Sequence, residues 1–496
     1  MRYSARATRR PNLSGWFIVF LALAFLVLSV LSATSDSPVY SAVVGAGAML
    51  GMTLFIPVCR PRLPYLSPYN WALALFFLEL VILPANMMTA GIRRGVLPSI
   101  PSAPSIEYAY LLTVLAYVSF AAAYAVTARR PRRRLRRVRT WWVMSKSLGV
   151  GYIGLGVLGF GLIFSAASLL AYYANPMNRV ADSRSAATLA SAASTFLRPF
   201  LAFGAVGLWC RSVDAKRLAR VPLLLSGMFC GFVMSVTFLS YGYNRATVAA
   251  PLICLAATIG KYIKTLPLWF IAFAGALLLT LLLFVGQYRD TRVGLTDVVG
   301  DRELAASLTS HVDVADSLQI NSSAPQFTAY LLDATEWGNH PSFGQSLFAT
   351  LMFTIPILGK PWRASSGVAL YNTLIYGNSR TIDQPVPFVA ELFMNFHVLG
   401  VICGYALLGY FIRHLQEHFE GSGGALHAFS VQYVTIWLCY TIHSSCLVVT
   451  QMLVYFCPPI YVLIFLGYFR RPSREGQRVA RVPERLPRPT FQATGE

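Results

Sequence analysis

The sequence predicts an all-α polytopic membrane protein of about twelve transmembrane helices, with one large extracytoplasmic loop late in the chain. Three observations predict it. Of 496 residues, 56% are hydrophobic and only 12% are charged, whereas a soluble domain carries about a quarter of its residues as charge. Apolar runs of spanning length recur along most of the chain. Lysine and arginine collect in short clusters in alternate connections, so the net charge of +21 reads as topogenic signalling rather than a nucleic-acid footprint. Nucleic acid is excluded as a partner on that ground.

The apolar runs place helices near 15–33, 38–58, 70–88, 107–127, 149–173, 193–210, 222–240, 246–260, 266–286, 388–412, 425–443 and 447–468. The first follows MRYSARATRR and is long enough to stay as a span, without a convincing cleavage site after it. The run at 246–260 is short for a hydrocarbon core of about 30 Å. Arg9 and Arg10, RRPRRRLRRVR (129–139), Arg211 to Arg220, Lys261 with Lys264, Arg413 and the tail from Arg470 all fall on one side. By the positive-inside rule that side is the cytoplasm, and both termini lie there. The 129–139 run also suits contact with anionic lipid headgroups.

The chain therefore divides into 1–286 with nine helices, a loop at 287–387, three helices over 388–468, and a basic cytoplasmic tail at 469–496. A loop of this length is functional or disordered, and this one has too many aromatic and aliphatic residues for disorder. DRELAASLTSHVDVADSL (301–318) and QFTAYLLDATEW (326–337) have helical periodicity. FGQSLFATLMFTIPILG (343–359) is apolar but short and broken by Pro356, which suits a re-entrant or interfacial segment.

The eight cysteines are scattered through apolar segments with no CxxC pair, and read as buried packing residues. No HExxH, P-loop or GxSxG pattern occurs, and HVDVAD (311–316) matches no metal-ligand spacing, so neither a metal nor a cofactor is expected. Polar residues recur instead at the outer ends of helices. Tyr243, Asn244 and Arg245 occupy the tight turn before 246–260; Arg289 and Arg292 follow the ninth helix; Arg363 lies in GKPWRASS; Arg179 and Arg184 precede the sixth helix; Arg198 sits inside it before Pro199. Guanidinium groups pair with phosphate and diphosphate through bidentate, charge-assisted hydrogen bonds. A ring of them at an outer mouth suits a lipid diphosphate.

The stretch DQPVPFVAELFMNFHVLGVICGYALLGYF (383–411) carries Glu391 one turn into an apolar helix, with Asn395 four residues on and His397 turned away. Two roles fit Glu391: an acid favoured by the helix dipole, or a polar group facing a water-filled mouth. Group transfer to a hydroxyl needs a base within hydrogen-bond reach. Glu391, His340, His443, Asp290 and Asp383 are the candidates, Glu391 first.

The span count, the dominant late loop, YGYNRATVAAPL (241–252) and PFVAELFMNFHVLGVICGY (387–405) together resemble the O-antigen, or oligosaccharide repeat-unit, polymerases of bacterial envelope assembly. The resemblance covers most of the chain as architecture and rests on short motifs. It implies a GT-C-like membrane glycosyltransferase of the bacterial inner membrane, the large loop being periplasmic. The implied donor is a growing glycan on undecaprenyl diphosphate, and the acceptor a single lipid-linked repeat unit. No nucleotide donor or metal takes part, and a chain-length regulator is an implied partner. On this view Glu391, or a histidine, orients or deprotonates the acceptor. Arg198, Arg245, Arg289, Arg292 and Arg363 hold the diphosphates, and Tyr243, Asn244 and Asn395 complete the substrate contacts. Two rivals stay open. A ligase would share the chemistry with a different acceptor, and would be favoured by an essential His340. A lipid-linked oligosaccharide flippase or transporter would place its polar groups near the midplane.

Overall fold

The computed structural model describes residues 66–93, 97–129, 146–165, 187–214, 245–262, 303, 318–319, 324–335, 342–355, 359–377, 386–421 and 425–469. Among the described residues every regular element is helical: α1 (Pro68–Ala90), α2 (Ala103–Arg129), α3 (Lys146–Ser165), α4 (Ala187–Asp214), α5 (Arg245–Tyr262), α6 (Ala324–Ala334), α7 (Gln345–Phe353), α8 (Gly367–Tyr376), α9 (Phe388–Gly421), α10 (Ala425–Cys439), α11 (Cys446–Phe456) and α12 (Pro458–Phe469). Of these, α1, α2 to Thr127 and α9 are long and apolar enough to cross a membrane. The pair α11–α12 adds a fourth if it counts as one span. The expected runs at 15–33, 38–58, 222–240 and 266–286, and nearly all of the helical stretch at 301–318, lie outside the described residues.

Local chemistry accounts for the helix ends. Ser67 caps α1, its hydroxyl accepting from the Asn70 amide at 3.5 Å, and Pro68 supplies a pre-set φ at the first position. Gly91 ends α1 at φ 77°, a conformation that costs glycine nothing. Residues 78–82 of α1 wind as a π-helical turn, which displaces Glu79 from the regular helical register. In the loop, Ser366 caps α8 through its hydroxyl and Gly377 closes it at φ 67°; α8 is a helix the periodicity had not marked.

The long helices approach through small residues, as association in an apolar solvent requires. α9 lies along α2, and Gly409 sits directly on the Phe120 carbonyl. α3 and α4 pair with Gly156 against Leu201 and Gly204 against Ile153. Aromatic side chains fill the α1–α2–α9 interior: Phe76 meets Tyr117 at 5.1 Å and Tyr405 at 6.0 Å, and Tyr69 meets Tyr124 at 4.4 Å. Arg413, expected as a topogenic charge, is buried there; it pairs with Glu417 at 2.8 Å and lies 5.5 Å from the Tyr124 ring.

Three expected spans need correction. The helix expected over 388–412 runs on to Gly421 and is broken, with Phe396 at φ −141°, ψ 18° and His397 at φ 51°, ψ −148°. Leu392 folds back so that a Cβ on Gly400 would stand 2.5 Å from its carbonyl oxygen, and one on Gly404 2.5 Å from its Cδ1. Beyond the break the helix is apolar only through Ile412, about 22 Å of rise, before Arg413, Glu417 and Glu420. The piece carrying Glu391 and Asn395 is set apart from it by the break. The helix expected over 447–468 is two helices bent by 52°, with Pro458 at the joint. The helix expected over 425–443 ends at Cys439 and tightens into a 3-10 turn at Tyr440–Ile442.

The large loop is bolted to α1 and α2. Asp333 accepts from the Ser102 amide at 2.7 Å and hydroxyl at 2.8 Å, and from the Ser105 hydroxyl, so it caps the start of α2 from across the chain. Gln319 accepts from the Arg93 amide at 2.8 Å and donates to Asn86 at 2.7 Å and the Gly91 carbonyl at 2.9 Å. Partial burial alone would raise the Asp333 carboxyl, but the hydrogen bonds from Ser105 and Ser102 outweigh it and hold it below the ordinary value of 3.8. A depressed native value stabilises above the unfolded one and is lost as pH falls through it. Acidification below about pH 4, or Asp333→Ala at neutral pH, is expected to speed amide exchange at Ser102 and Ile106; unchanged exchange would show that the cap is not needed.

Candidate functional site

Two buried carboxylates flank the turn between α10 and α11. Glu79, on the π-turn of α1, is fully enclosed, and Glu391, on the folded-back segment of α9, is 2% exposed. The turn, Tyr440 to Ser445, presents a different group to each. His443 Nδ1 lies 3.2 Å from Glu79 Oε1. The Cys446 amide, first of α11, donates to Glu391 Oε2 at 2.9 Å. The same turn holds the start of α9, because the Phe388 amide donates to the Ser444 carbonyl at 3.1 Å. A carboxylate on a helix N-terminus meets both a free amide and the positive end of the helix dipole.

The loop helices complete each carboxylate. Thr350 of α7 donates its hydroxyl to Glu391 Oε1 at 3.2 Å, while accepting from the Gly367 amide at 3.2 Å. Gly367 is required for this approach, since a Cβ there would stand 2.9 Å from Glu391 Oε1. Glu79 Oε2 accepts from the Ala324 amide at 3.2 Å, so α6 sets its N-terminus on a carboxylate midway along α1. Asn395 is wholly buried and donates to Ser346 Oγ at 2.7 Å and to the Glu391 carbonyl at 2.6 Å, while Ser342 donates to its Oδ1 at 2.8 Å. It ties the folded-back segment to the start of α7.

Beside Glu391 lies a cleft of about 10 Å³, lined by Ser346, Gly367, Leu370, Tyr371, Val386 and Met394 among others. That is room for about one water molecule. The expected water-filled mouth at Glu391 is therefore not open: the carboxylate is enclosed and both oxygens are occupied. α7 turns Phe348 and Leu351 outward, as an interfacial segment would.

Of the residues singled out in the sequence, Glu391, Asn395 and His443 come together around these elements. His397 packs edge-on against Phe393 at 5.4 Å, away from Glu391. Arg198 is buried in α4, 6% exposed. Arg363 is exposed on the 3-10 turn Lys360–Ser365, its guanidinium 5.9 Å from the Phe353 ring. Arg245 opens α5 as its first residue. Tyr243, Asn244, Arg289, Asp290, Arg292, His340 and Asp383 lie outside the described residues.

Glu79 is the residue that sequence reasoning passes over. Its signal was present: a lone carboxylate in LFFLELVIL, deep within an apolar run. The rule that marks Glu391 as costly in hydrocarbon marks Glu79 more strongly. Thr350, Ser346 and Gly367 carry no such signal, because small polar residues in an apolar loop segment are common. The chain matches no family model, no curated protein and no solved structure.

Proposed function

We propose that the chain is a membrane glycosyltransferase of about twelve spans in the bacterial inner membrane, with both termini cytoplasmic. On this reading it polymerises undecaprenyl-diphosphate-linked repeat units at the periplasmic face, passing the growing glycan to a new lipid-linked unit. One observation carries the reading. The helices of the long late loop, α6 to α8, pack onto the apolar helices around two buried carboxylates and a histidine, Glu391 and His443 near helix ends and Glu79 midway along α1. That is where an enzyme working on a lipid-linked headgroup would gather its polar groups. The exposed Arg363 and the arginines at 198, 245, 289 and 292 would neutralise the departing diphosphate, the kind of charge stabilisation that dominates such transfers.

Transport is a second reading, favoured by one specific feature. Glu79 stands midway along α1 on a π-turn, and ionisable residues at such depth often serve ion or substrate pathways. Deleting the gene and resolving the surface polysaccharide on a gel separates the readings. Polymerisation predicts collapse of the long ladder to single units still joined to their anchor. Units accumulating unattached on the periplasmic side would mean ligation, and units trapped on the cytoplasmic side would mean transport; either result overturns the polymerase reading.

A further inference from the structure

We propose that Glu79 and His443 form a carboxylate–imidazole dyad in which His443 takes the acceptor proton, Glu79 being its positioning residue. Glu391 is then a tie between elements rather than the base. The proposal rests on the glycosyl-transfer reading above.

The hydrogen-bond inventories of the two carboxylates separate their roles. Glu391 accepts one backbone amide and one hydroxyl, one on each oxygen, from the start of α11 and from α7. Neither of these two partners is a ring that could pass a proton on. Glu79 instead holds an imidazole. Its Oε1 meets His443 Nδ1, and its Oε2 is fixed by the Ala324 amide. A carboxylate on Nδ1 sets both the ring's orientation and its tautomer, which leaves Nε2 as the nitrogen that exchanges a proton. The ring is braced further by Tyr440, edge-on at 5.3 Å, and by its own amide bonded to the Tyr440 carbonyl at 3.2 Å. His443 is 9% exposed, so it is held in place without being wholly enclosed.

The step balances with groups already named. The acceptor hydroxyl oxygen forms a bond to the donor's anomeric carbon. The bond from that carbon to the diphosphate oxygen breaks, and its electron pair leaves with the lipid diphosphate. The hydroxyl proton passes to His443 Nε2 and then to solvent. Because Glu79 also carries the first amide of α6, the base is aligned only while the loop helix is seated.

The test uses the full chain reconstituted in liposomes, with lipid-linked repeat units from the host as both donor and acceptor and polymer length read on a gel. His443→Ala is expected to lower kcat by about 100-fold or more with KM little changed. Imidazole added to that variant restores part of the rate, whereas thiazole, of the same shape but scarcely basic, does not. His443→Asn keeps an N–H for Glu79 but has no proton-accepting ring, and is expected to fold normally and remain inactive. Glu79→Asp retains more activity than Glu79→Gln. Wild-type kcat in His443→Asn, or equal rescue by thiazole, overturns the dyad while leaving glycosyl transfer standing. A wild-type protein that extends no glycan from lipid-linked units overturns the transfer reading, and the dyad with it.

Discussion

Glu391→Ala is expected to destabilise the protein by about 2–5 kcal/mol, because it strands two buried donors, the Cys446 amide and the Thr350 hydroxyl. Each unsatisfied donor costs about 1–3 kcal/mol, toward the lower end if a water in the adjacent cleft replaces the lost oxygen. The expected observation is a large fall in the thermal midpoint of the detergent-purified chain, with the start of α11 and the α7–α8 contact loosening together in hydrogen exchange. Glu391→Gln keeps one acceptor oxygen, and the amide nitrogen faces either an N–H or a hydroxyl. Its loss should be smaller, about 1–2 kcal/mol. Equal midpoints for wild type and Glu391→Ala would mean that the carboxylate does not hold the segment down.

The second large effect is expected at the α2–α9 contact. Gly409 sits on the Phe120 carbonyl with no space for a side chain. Backbone atoms cannot swing aside as a rotamer can, so even Gly409→Ala must separate the two helices. Overpacking costs about 1–3 kcal/mol where neighbours can adjust, and the rigid neighbour here puts Gly409→Leu at or beyond the upper end. Loss of folded, monodisperse protein from detergent extracts is the expected result for leucine, with a lowered thermal midpoint for alanine. Gly151, which has open space around it, is the matched control: alanine there meets nothing within 4 Å. Equal behaviour of the two variants would contradict the close approach.

Much of the helical layout was legible in the amino-acid sequence, and the reason is physical. Runs such as 70–88 and 107–127 stand out because hydrocarbon tolerates few polar side chains, and the helices found there extend only a few residues further at each end. The break at Phe396–His397 was not legible. Neither residue is glycine or proline, and a positive φ at histidine is imposed by packing, not by local preference. Its trace is the pair Gly400 and Gly404, small for a reason that becomes visible only when Leu392 is seen lying on them. At the site, Glu391 was legible as a lone carboxylate, but its partners were not, since Thr350 and Cys446 reach it only after the loop is folded over. Pairing of Glu79 with His443 lay further out of reach, because nothing local ties residues so distant.

That distance has a consequence for how the protein is made. α1, long and apolar enough to cross a membrane, carries a carboxylate halfway along its length, while the amide that receives it comes 245 residues later and the histidine 364 residues later. An acidic residue at a helix centre weakens insertion by about 2.5–3.5 kcal/mol, so nascent α1 is a reluctant span for most of the chain's synthesis. Its amide partner arrives with α6, and its imidazole partner only with the turn before α11.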